Sequence, residues 1–252
     1  MKIFNKLFKE KNKTTQVNFI DESEPCFYER SYPDNIREEY KIVIDVKPFT
    51  MTSEERIFSL INAVNYIIKN KIEGDIVECG VWKGGGMMAV AKQLIRLNSS
   101  SQKLYLYDTF EEGMTKPSKE DLRYDNIDAL PFLENWESKN TYPSLKEVKN
   151  NMYSTGYPKD KIEFIQGDVL NTIPKFIPEK ISILRLDTDW FETTKHEMNH
   201  LFPKLSLNGI LIIDDYGHWK GARKAVDEYL NSNNIKIFLG RVDYTCRLGV
   251  KL

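Results

Sequence analysis

Four aspartates follow two apolar segments, and their spacing suits a metal site. One segment is followed by Asp187 and Asp189, and the other by Asp214 and Asp215. At the ends of neighbouring parallel strands these carboxylates would repel one another, which raises their pKa values unless a positive charge lies between them. Mg²⁺ prefers oxygen ligands and keeps water or substrate oxygens in its remaining positions. The spacing therefore predicts Asp187, Asp214 and Asp215 as metal ligands and leaves Asp189 as a general base.

The same residues have structural interpretations. Asp189 could cap the helix that follows it, which is a common role of aspartate, and Asp215 could form a turn. His218 is a candidate to position an acceptor hydroxyl, or it is a hydrogen-bonded structural histidine. Trp190, next to Asp189, is a second candidate contact of the acceptor.

Histidine and cysteine spacing does not favour a zinc site. His196 and His200 are four residues apart but lack the glutamate of an HExxH motif, so they are expected at a surface or interface. Cys26, Cys79 and Cys246 show no CxxC spacing, and their odd number argues against a disulfide framework.

A glycine-rich turn follows the apolar segment 75–80. Gly80 ends this segment, and Gly84 and Gly85 precede a helical pattern. Glycines let a backbone pass close to a ligand, and a helix N-terminus offers free N–H groups. Because three bulky residues separate the first two glycines, the turn suits a cofactor without phosphates, such as S-adenosylmethionine, better than a dinucleotide. Asp108 would then bind the ribose hydroxyls; alternatively, the glycines only make a tight strand–helix junction.

Apolar segments alternate with helical patterns along most of the chain. Strands are predicted at 75–80, 103–108, 161–165, 182–186, 210–213, 235–239 and 244–250, and helices at 53–69, 87–97, 192–202 and 221–230. This alternation predicts an α/β fold with a doubly wound, Rossmann-like, mostly parallel seven-stranded sheet. The last strand is expected to be antiparallel because only a hairpin-length link precedes it.

Two segments interrupt the alternation. Residues 21–52 are polar and irregular, and residues 111–160 contain several prolines and Trp136. A long insertion in a compact domain commonly forms a lid or a substrate wall. We therefore expect an N-terminal extension with a cap helix over 1–70, and a catalytic domain over 71–252 with a lid at 111–160.

Composition narrows the function classes. The chain has 252 residues with 36 basic and 37 acidic side chains, a net charge of −1, which argues against a nucleic-acid partner. The longest apolar runs are too short to span a membrane, and no secretory leader is recognised, so a cytoplasmic location is expected. Residues 1–9 are basic and faintly amphipathic, which leaves a weak membrane-surface contact open. A small-molecule or glycan acceptor and a homo-oligomer are expected.

Four motifs resemble the macrocin O-methyltransferase family. They span residues 75–85, 105–110, 184–190 and 212–223, and the likeness extends over roughly 48–250. The resemblance implies a class I methyltransferase fold, S-adenosylmethionine as donor and Mg²⁺-dependent methylation of a sugar hydroxyl on a glycan, nucleotide sugar or glycosylated natural product.

The resemblance also implies roles for individual residues. The family's metal-binding acids match Asp187, Asp214 and Asp215, and its base matches Asp189. Its cofactor site matches Met51, Thr52, Glu78, Gly80, Val81, Gly84, Gly85, Asp108, Thr109, Phe110, Asp168 and Val169.

The chain departs from the family in places, and other functions stay open. Gly86 stands where many relatives have serine, and residues 108–113 carry one extra acidic residue. The segment 111–160 matches no particular sugar. Asp187 and Asp189 also form the DxD pattern of metal-dependent glycosyltransferases. A catechol-like acceptor and a non-catalytic binding module are further alternatives.

Overall fold

A seven-stranded sheet, in the order β3-β2-β1-β4-β5-β7-β6, forms the core of the protein in a computed structural model that describes residues 37–252. The strands are β1 (Asp75–Cys79), β2 (Leu104–Asp108), β3 (Ile162–Gln166), β4 (Ile181–Leu186), β5 (Leu205–Ile213), β6 (Gly240–Arg241) and β7 (Arg247–Val250). Strands β1 to β5 pair in parallel, and β7 is antiparallel to both β5 and β6. The predicted doubly wound α/β fold with an antiparallel last strand is confirmed.

Eight α-helices accompany the sheet within the described residues. They are α1 (Arg37–Val46), α2 (Glu54–Lys69), α3 (Gly85–Arg96), α4 (Leu130–Glu137), α5 (Leu145–Ser154), α6 (Val169–Thr172), α7 (Phe191–His200) and α8 (Lys220–Ser232). Helices α1, α2 and α3 contact one another, and α7 packs against α8. None of the helices in this part of the chain is both long and apolar enough to cross a bilayer.

The strand register brings the ends of three strands to one level. Cys79 of β1 pairs with Leu186 of β4, and Leu186 pairs with Ile213 of β5. The residues that follow, among them Asp187 and Asp214, therefore emerge side by side at the carboxyl ends of the strands. In open α/β sheets this edge is where ligands bind.

Alternation along the strands separates an apolar face from a charged one. Val77 and Cys79 join a large buried cluster with α7 and α8. Glu78 and Arg185 are direct cross-strand partners and point to the opposite face, because successive side chains alternate. A buried ion pair thus lies beneath the strand ends.

The structure differs from the sequence prediction in two places. Residues 235–239 do not form a strand; their alternating apolar side chains instead pack against the main buried cluster without sheet pairing. Part of the segment predicted as irregular forms α1, which buries Ile42, Val43 and Val46. The predicted membrane contact of residues 1–9, and Cys26, lie outside the described residues.

Candidate active site

A cavity of about 700 Å³ opens at the carboxyl ends of β1, β2, β4 and β5. Its walls come from these strand ends, from the segment before α2 and from the insertion 111–160. Within residues 37–252, five buried side-chain atoms lack a hydrogen-bond partner, and all five belong to residues that line this cavity. They are Thr52 Oγ1, Glu78 Oε2, Trp82 Nε1, Trp190 Nε1 and Asp215 Oδ2. Buried polar groups are normally paired, so this concentration indicates a ligand site.

Three of the predicted aspartates meet at one side of the cavity. Asp187, Asp214 and Asp215 each offer a carboxylate oxygen, and these oxygens lie within 4.8 Å of one another. Burial raises the pKa of Asp187 and Asp215 well above the usual range, and the neighbouring acids add to the effect. The unpartnered Asp215 Oδ2 and the hard oxygen donors fit a divalent cation.

Two arginines, to which sequence reasoning gave no role, contact these acids. Arg185 Nη2 lies 2.8 Å from Asp187 Oδ2 and 2.6 Å from Asp214 Oδ1. Arg56 of α2 contacts the other oxygen of Asp214 and donates through Nε to Asp243 Oδ2 at 2.7 Å. Arg185 could have been recognised in the sequence as a charged residue within an apolar strand. The sequence around Arg56 contains no comparable local signal.

These arginines do not balance the local negative charge. The acids of this side of the cavity are Glu78, Asp187, Asp189, Asp214 and Asp215, and the cations that contact them are Arg56 and Arg185. Five carboxyl groups face two guanidinium groups, and the raised pKa values of four of them show that the acids are in excess: without a cation some of them hold protons, which a bound cation would displace. A cation at this edge is therefore favourable even with both arginines in place.

Asp189 lies beside the three aspartates in a strained turn. Its φ is 64°, and its Oδ1 accepts a hydrogen bond of 3.0 Å from Trp219 Nε1. Burial raises the pKa of Asp189 to about 6, while hydrogen bonds with Asp215 and, to a lesser degree, with Trp219 oppose that rise. The first amide of α7, Phe191 N, bonds to Asp121 rather than to Asp189. The geometry leaves Asp189 facing the cavity as an acid or base.

Buried residues stabilise the turn that contains Asp189. Thr188 Oγ1 donates a hydrogen bond of 3.0 Å to Oε1 of Glu197, a buried residue of α7. Asp121 of the insertion accepts hydrogen bonds from Ser118 N at 2.6 Å and Phe191 N at 2.7 Å. A Cβ at Gly221 would lie 1.9 Å from Asp121 Oδ1, so glycine is required where the insertion meets the start of α8.

The glycine turn forms the opposite side of the cavity. A Cβ at Gly80 would lie 1.9 Å from the backbone oxygen of Asp187, so only glycine allows this approach. Gly84, at φ 88°, is the N-cap of α3. Gly86 stands where many relatives have serine. A Cβ at this position would lie 2.6 Å from Glu78 Oε1, so glycine leaves room for the Glu78 carboxylate.

Asp108 supports the turn through backbone amides. Its Oδ2 accepts from Val81 N at 2.8 Å and Trp82 N at 2.9 Å, and its Oδ1 accepts from Phe110 N at 2.7 Å. Glu78 Oε2, by contrast, is buried without a partner at the cavity, and burial raises the pKa of Glu78 to about 7. The ribose contact predicted for Asp108 stays a prediction, and Glu78 is the carboxylate with an open oxygen.

Most other predicted cofactor residues border the cavity. Those in its lining are Met51, Thr52, Glu78, Gly80, Val81, Asp108, Thr109, Asp168 and Val169. Gly84, Gly85 and Phe110 are buried and are not part of the cavity lining. Asp168 caps α6 through Leu170 N at 2.8 Å and accepts from Thr115 Oγ1 at 2.8 Å, which ties the insertion to this wall.

Aromatic residues form the wall beyond Asp189. Trp190 and Trp219 have ring centroids 5.2 Å apart, and Phe132 of the insertion meets Trp219 edge-on at 6.1 Å. His218 stands edge-on to Trp219 at 4.5 Å, and its Nδ1 lies 3.3 Å from the Tyr244 hydroxyl. These side chains line the cavity and give it an apolar surface with scattered polar atoms.

The histidines of α7 lie away from the cavity. His196 Nε2 lies 3.0 Å from the Ile173 carbonyl oxygen, and its ring is 4.4 Å from that of His200. Neither residue lines the cavity. The described cysteines, Cys79 and Cys246, are buried and free.

Comparisons with known proteins relate the whole chain to methyltransferases. A model of the macrocin O-methyltransferase family (TylF) matches residues 8–248. The chain is 29% identical to mycinamicin III 3''-O-methyltransferase of Micromonospora griseorubida over 195 residues, 77% of this chain and 75% of the relative. It is 28% identical to demethyldecarbamoylnovobiocin O-methyltransferase of Streptomyces niveus over 182 residues, 71% of this chain and 67% of the relative. The structure of the O-methyltransferase NovP superposes with a TM-score of 0.72 at 25% identity, covering 81% of this chain and 82% of NovP.

Proposed function

Because the chain belongs to the macrocin O-methyltransferase family, we propose that it transfers a methyl group from S-adenosylmethionine to a sugar hydroxyl with the help of a divalent cation. Membership makes it an enzyme that methylates an oxygen. The observation that carries the finer proposal is the pairing, in one cavity, of a glycine turn with three clustered aspartates. A glycosyltransferase has no use for that glycine turn.

The donor fits the side of the cavity that the glycine turn forms. Gly80 lets the turn pack against the Asp187 backbone and Gly84 caps α3, which together shape this side, and Glu78 Oε2 is free to accept a ribose hydroxyl. Thr52 Oγ1, another buried atom without a partner, faces the same cavity. Bound S-adenosylmethionine supplies an electrophilic methyl group on a sulfonium, whose thioether is the leaving group.

Asp187, Asp214 and Asp215 would hold the cation, proposed to be Mg²⁺. A cation bound there would supply a Lewis acid that lowers the pKa of an acceptor hydroxyl. Asp189 then accepts the hydroxyl proton as the oxygen–methyl bond forms. The Trp219 N–H holds Asp189 Oδ1 in place, and Asp189 also hydrogen-bonds to Asp215, which ties the proposed base to the proposed metal ligands.

The acceptor fits the aromatic side of the cavity. Trp190, Trp219 and Phe132 offer flat apolar surfaces, and Trp190 Nε1 is an unpartnered donor. Such a surface suits the apolar face and the hydroxyls of a sugar ring, and one curated relative, from Streptomyces olivaceus, is named for a rhamnosyl-bearing tetracenomycin C as its acceptor. His218 is proposed as a further acceptor contact, and a catechol-like acceptor is the alternative.

The insertion 111–160 is proposed as the lid of this site, within a catalytic domain over 71–252. It supplies α4 and α5, and Asp121 anchors it to the start of α7. A cytoplasmic location and a homo-oligomer stay predictions.

Binding and transfer assays test the proposal. Calorimetry should show one S-adenosylhomocysteine per chain and no binding of nucleoside diphosphates. Methyl transfer to a panel of nucleotide-linked deoxysugars and heptoses, against a catechol panel, should favour the sugars and should stop with EDTA. Failure to bind S-adenosylhomocysteine would contradict the donor, and full activity in EDTA would contradict the metal.

A further inference from the structure

Arg185 occupies the point where the two halves of the cavity meet. It lies in β4, directly paired in register with Glu78 of β1, and only 5% of it is exposed. Its Nη1 contacts Glu78 Oε1, and its Nη2 lies 2.8 Å from Asp187 and 2.6 Å from Asp214. One guanidinium group therefore holds the carboxylate proposed for the donor and two carboxylates proposed for the cation.

This arrangement divides the carboxylate oxygens between the two ligands. Arg185 occupies Glu78 Oε1, which leaves Oε2 buried, unpartnered and facing the cavity. On the other side it occupies one oxygen each of Asp187 and Asp214. A rotation of either aspartate moves Nη2, and because the guanidinium is planar and rigid, it moves Nη1 as well.

We propose that Arg185 is a positioning residue that couples donor binding to cation binding, so that each ligand tightens the other. The inference rests on the proposed function. A cation on Asp187 and Asp214 fixes their side chains, and they in turn fix Arg185 and the orientation of Glu78. Linkage requires the same factor in both directions.

The chain offers a matched control for this role. Arg56 also contacts Asp214, but its other partner is Asp243 and it does not reach Glu78. Arg56→Lys therefore changes a contact on the cation side but leaves intact the Arg185 fork that joins Asp187 and Asp214 to Glu78. Arg185→Lys keeps the charge of Arg185, but a single ammonium cannot reproduce the two-nitrogen fork. If charge alone mattered, lysine at position 185 would preserve the coupling.

Calorimetry on the full chain measures the coupling without turnover. S-adenosylhomocysteine is the probe because it lacks the sulfonium charge, which would repel the cation directly. In the wild-type protein, saturating MgCl₂ should tighten S-adenosylhomocysteine by about fivefold or more, and saturating S-adenosylhomocysteine should tighten Mg²⁺ by the same factor. In Arg185→Lys, saturation with one ligand should change the affinity for the other by less than about twofold. In Arg56→Lys the coupling factor should equal that of the wild type.

Glu78→Gln provides a second route if Arg185→Lys does not fold. It keeps the size of the side chain but removes the charge that binds Nη1, so the coupling factor should also fall toward one. Independent binding of the two ligands in the wild type would overturn the inference. So would a wild-type coupling factor in Arg185→Lys or in Glu78→Gln. Absence of S-adenosylhomocysteine or Mg²⁺ binding in the wild type would instead overturn the proposed function.

Discussion

The Trp219 indole donates a hydrogen bond of 3.0 Å to Asp189 Oδ1, across the gap between the start of α8 and the turn before α7. Asp189 is held at φ 64°, outside the usual backbone range, so two separate constraints aim its carboxylate into the cavity. The bond also favours the ionised form of Asp189, against the burial that raises its pKa to about 6. Trp219 thus helps to orient the proposed base and, together with the hydrogen bond from Asp215, favours its ionised form.

Trp219→Phe should shift the acid limb of the pH–rate profile upward. A base works only when it is ionised, so activity is expected to rise with pH through the pKa of Asp189, which burial raises to about 6 without a cation and which bound Mg²⁺ would lower. Losing one hydrogen bond to a charged group, about 1.5 kcal/mol, should move that limb up by about one pH unit. The measurement is kcat against pH at saturating donor, acceptor and Mg²⁺.

Trp190→Phe is the matched control for this shift. It also removes an indole N–H from the cavity wall, but Trp190 Nε1 makes no bond to Asp189. It should raise KM for the acceptor and leave the acid limb where it is. An equal shift in both variants would assign the effect to general disturbance of the wall.

Asp189→Asn should separate binding from chemistry. The variant keeps the shape of the side chain but cannot accept a proton, so kcat should fall by roughly 10²–10⁴-fold. The affinity for S-adenosylhomocysteine should stay within about twofold of the wild-type value, a change of about 0.4 kcal/mol or less, because Asp189 lies on the acceptor side of the cavity. Turnover at the wild-type rate would remove Asp189 from the mechanism.

The order of apolar segments was enough to predict the sheet, because buried parallel strands leave a strong pattern in the sequence. The acidic pairs Asp187/Asp189 and Asp214/Asp215 were also visible, since each pair directly follows such a strand. That three of these carboxylates meet within 4.8 Å follows from register, which brings Leu186 level with Ile213.

Contacts between distant segments could not be predicted in the same way. Arg56 reaches Asp214 from 158 residues away in sequence, and Asp121 reaches Phe191 from 70 residues away. Neither contact leaves a local pattern. The alternation in 235–239 misled the strand prediction, because one-sided packing without sheet pairing produces the same period of two.

Two substitutions at the proposed metal site should affect stability differently. Asp214→Asn removes the charge that Arg56 and Arg185 share, and breaking a buried ion pair of this kind costs about 3–5 kcal/mol. Asp215→Asn removes a carboxylate that the neighbouring acids repel and whose Oδ2 has no partner, and the asparagine amide can still hydrogen-bond to Asp189, so the metal-free protein should be as stable or more stable.

Both variants should lose Mg²⁺ affinity despite this difference. Denaturant unfolding in EDTA measures the stability, and calorimetry with MgCl₂ measures the affinity. If Asp215→Asn bound Mg²⁺ as the wild type does, Asp215 would not be a ligand. If Asp214→Asn were as stable as the wild type, the arginine contacts would contribute nothing to the fold.

Glu197 gives a pH-dependent loss of stability that a single substitution should remove. Its carboxyl is fully buried on α7, accepts from Thr188 and the Cys79 thiol, and has its pKa raised by burial from 4.5 to about 8. The folded state therefore binds a proton that the unfolded state releases above pH 4.5, so stability falls as pH rises from about 4.5 to 8.

Glu197→Gln keeps an oxygen for Thr188 and has no charge to bury. It should flatten the stability profile between pH 5 and 8 and stabilise the protein by up to about 3 kcal/mol at pH 7. Unfolding by urea at several pH values measures this, with Glu192→Gln, on the exposed side of the same helix, as the control. A variant that kept the wild-type slope would show that Glu197 is already charged in the folded protein, and that the polar groups around Thr188 stabilise a buried anion.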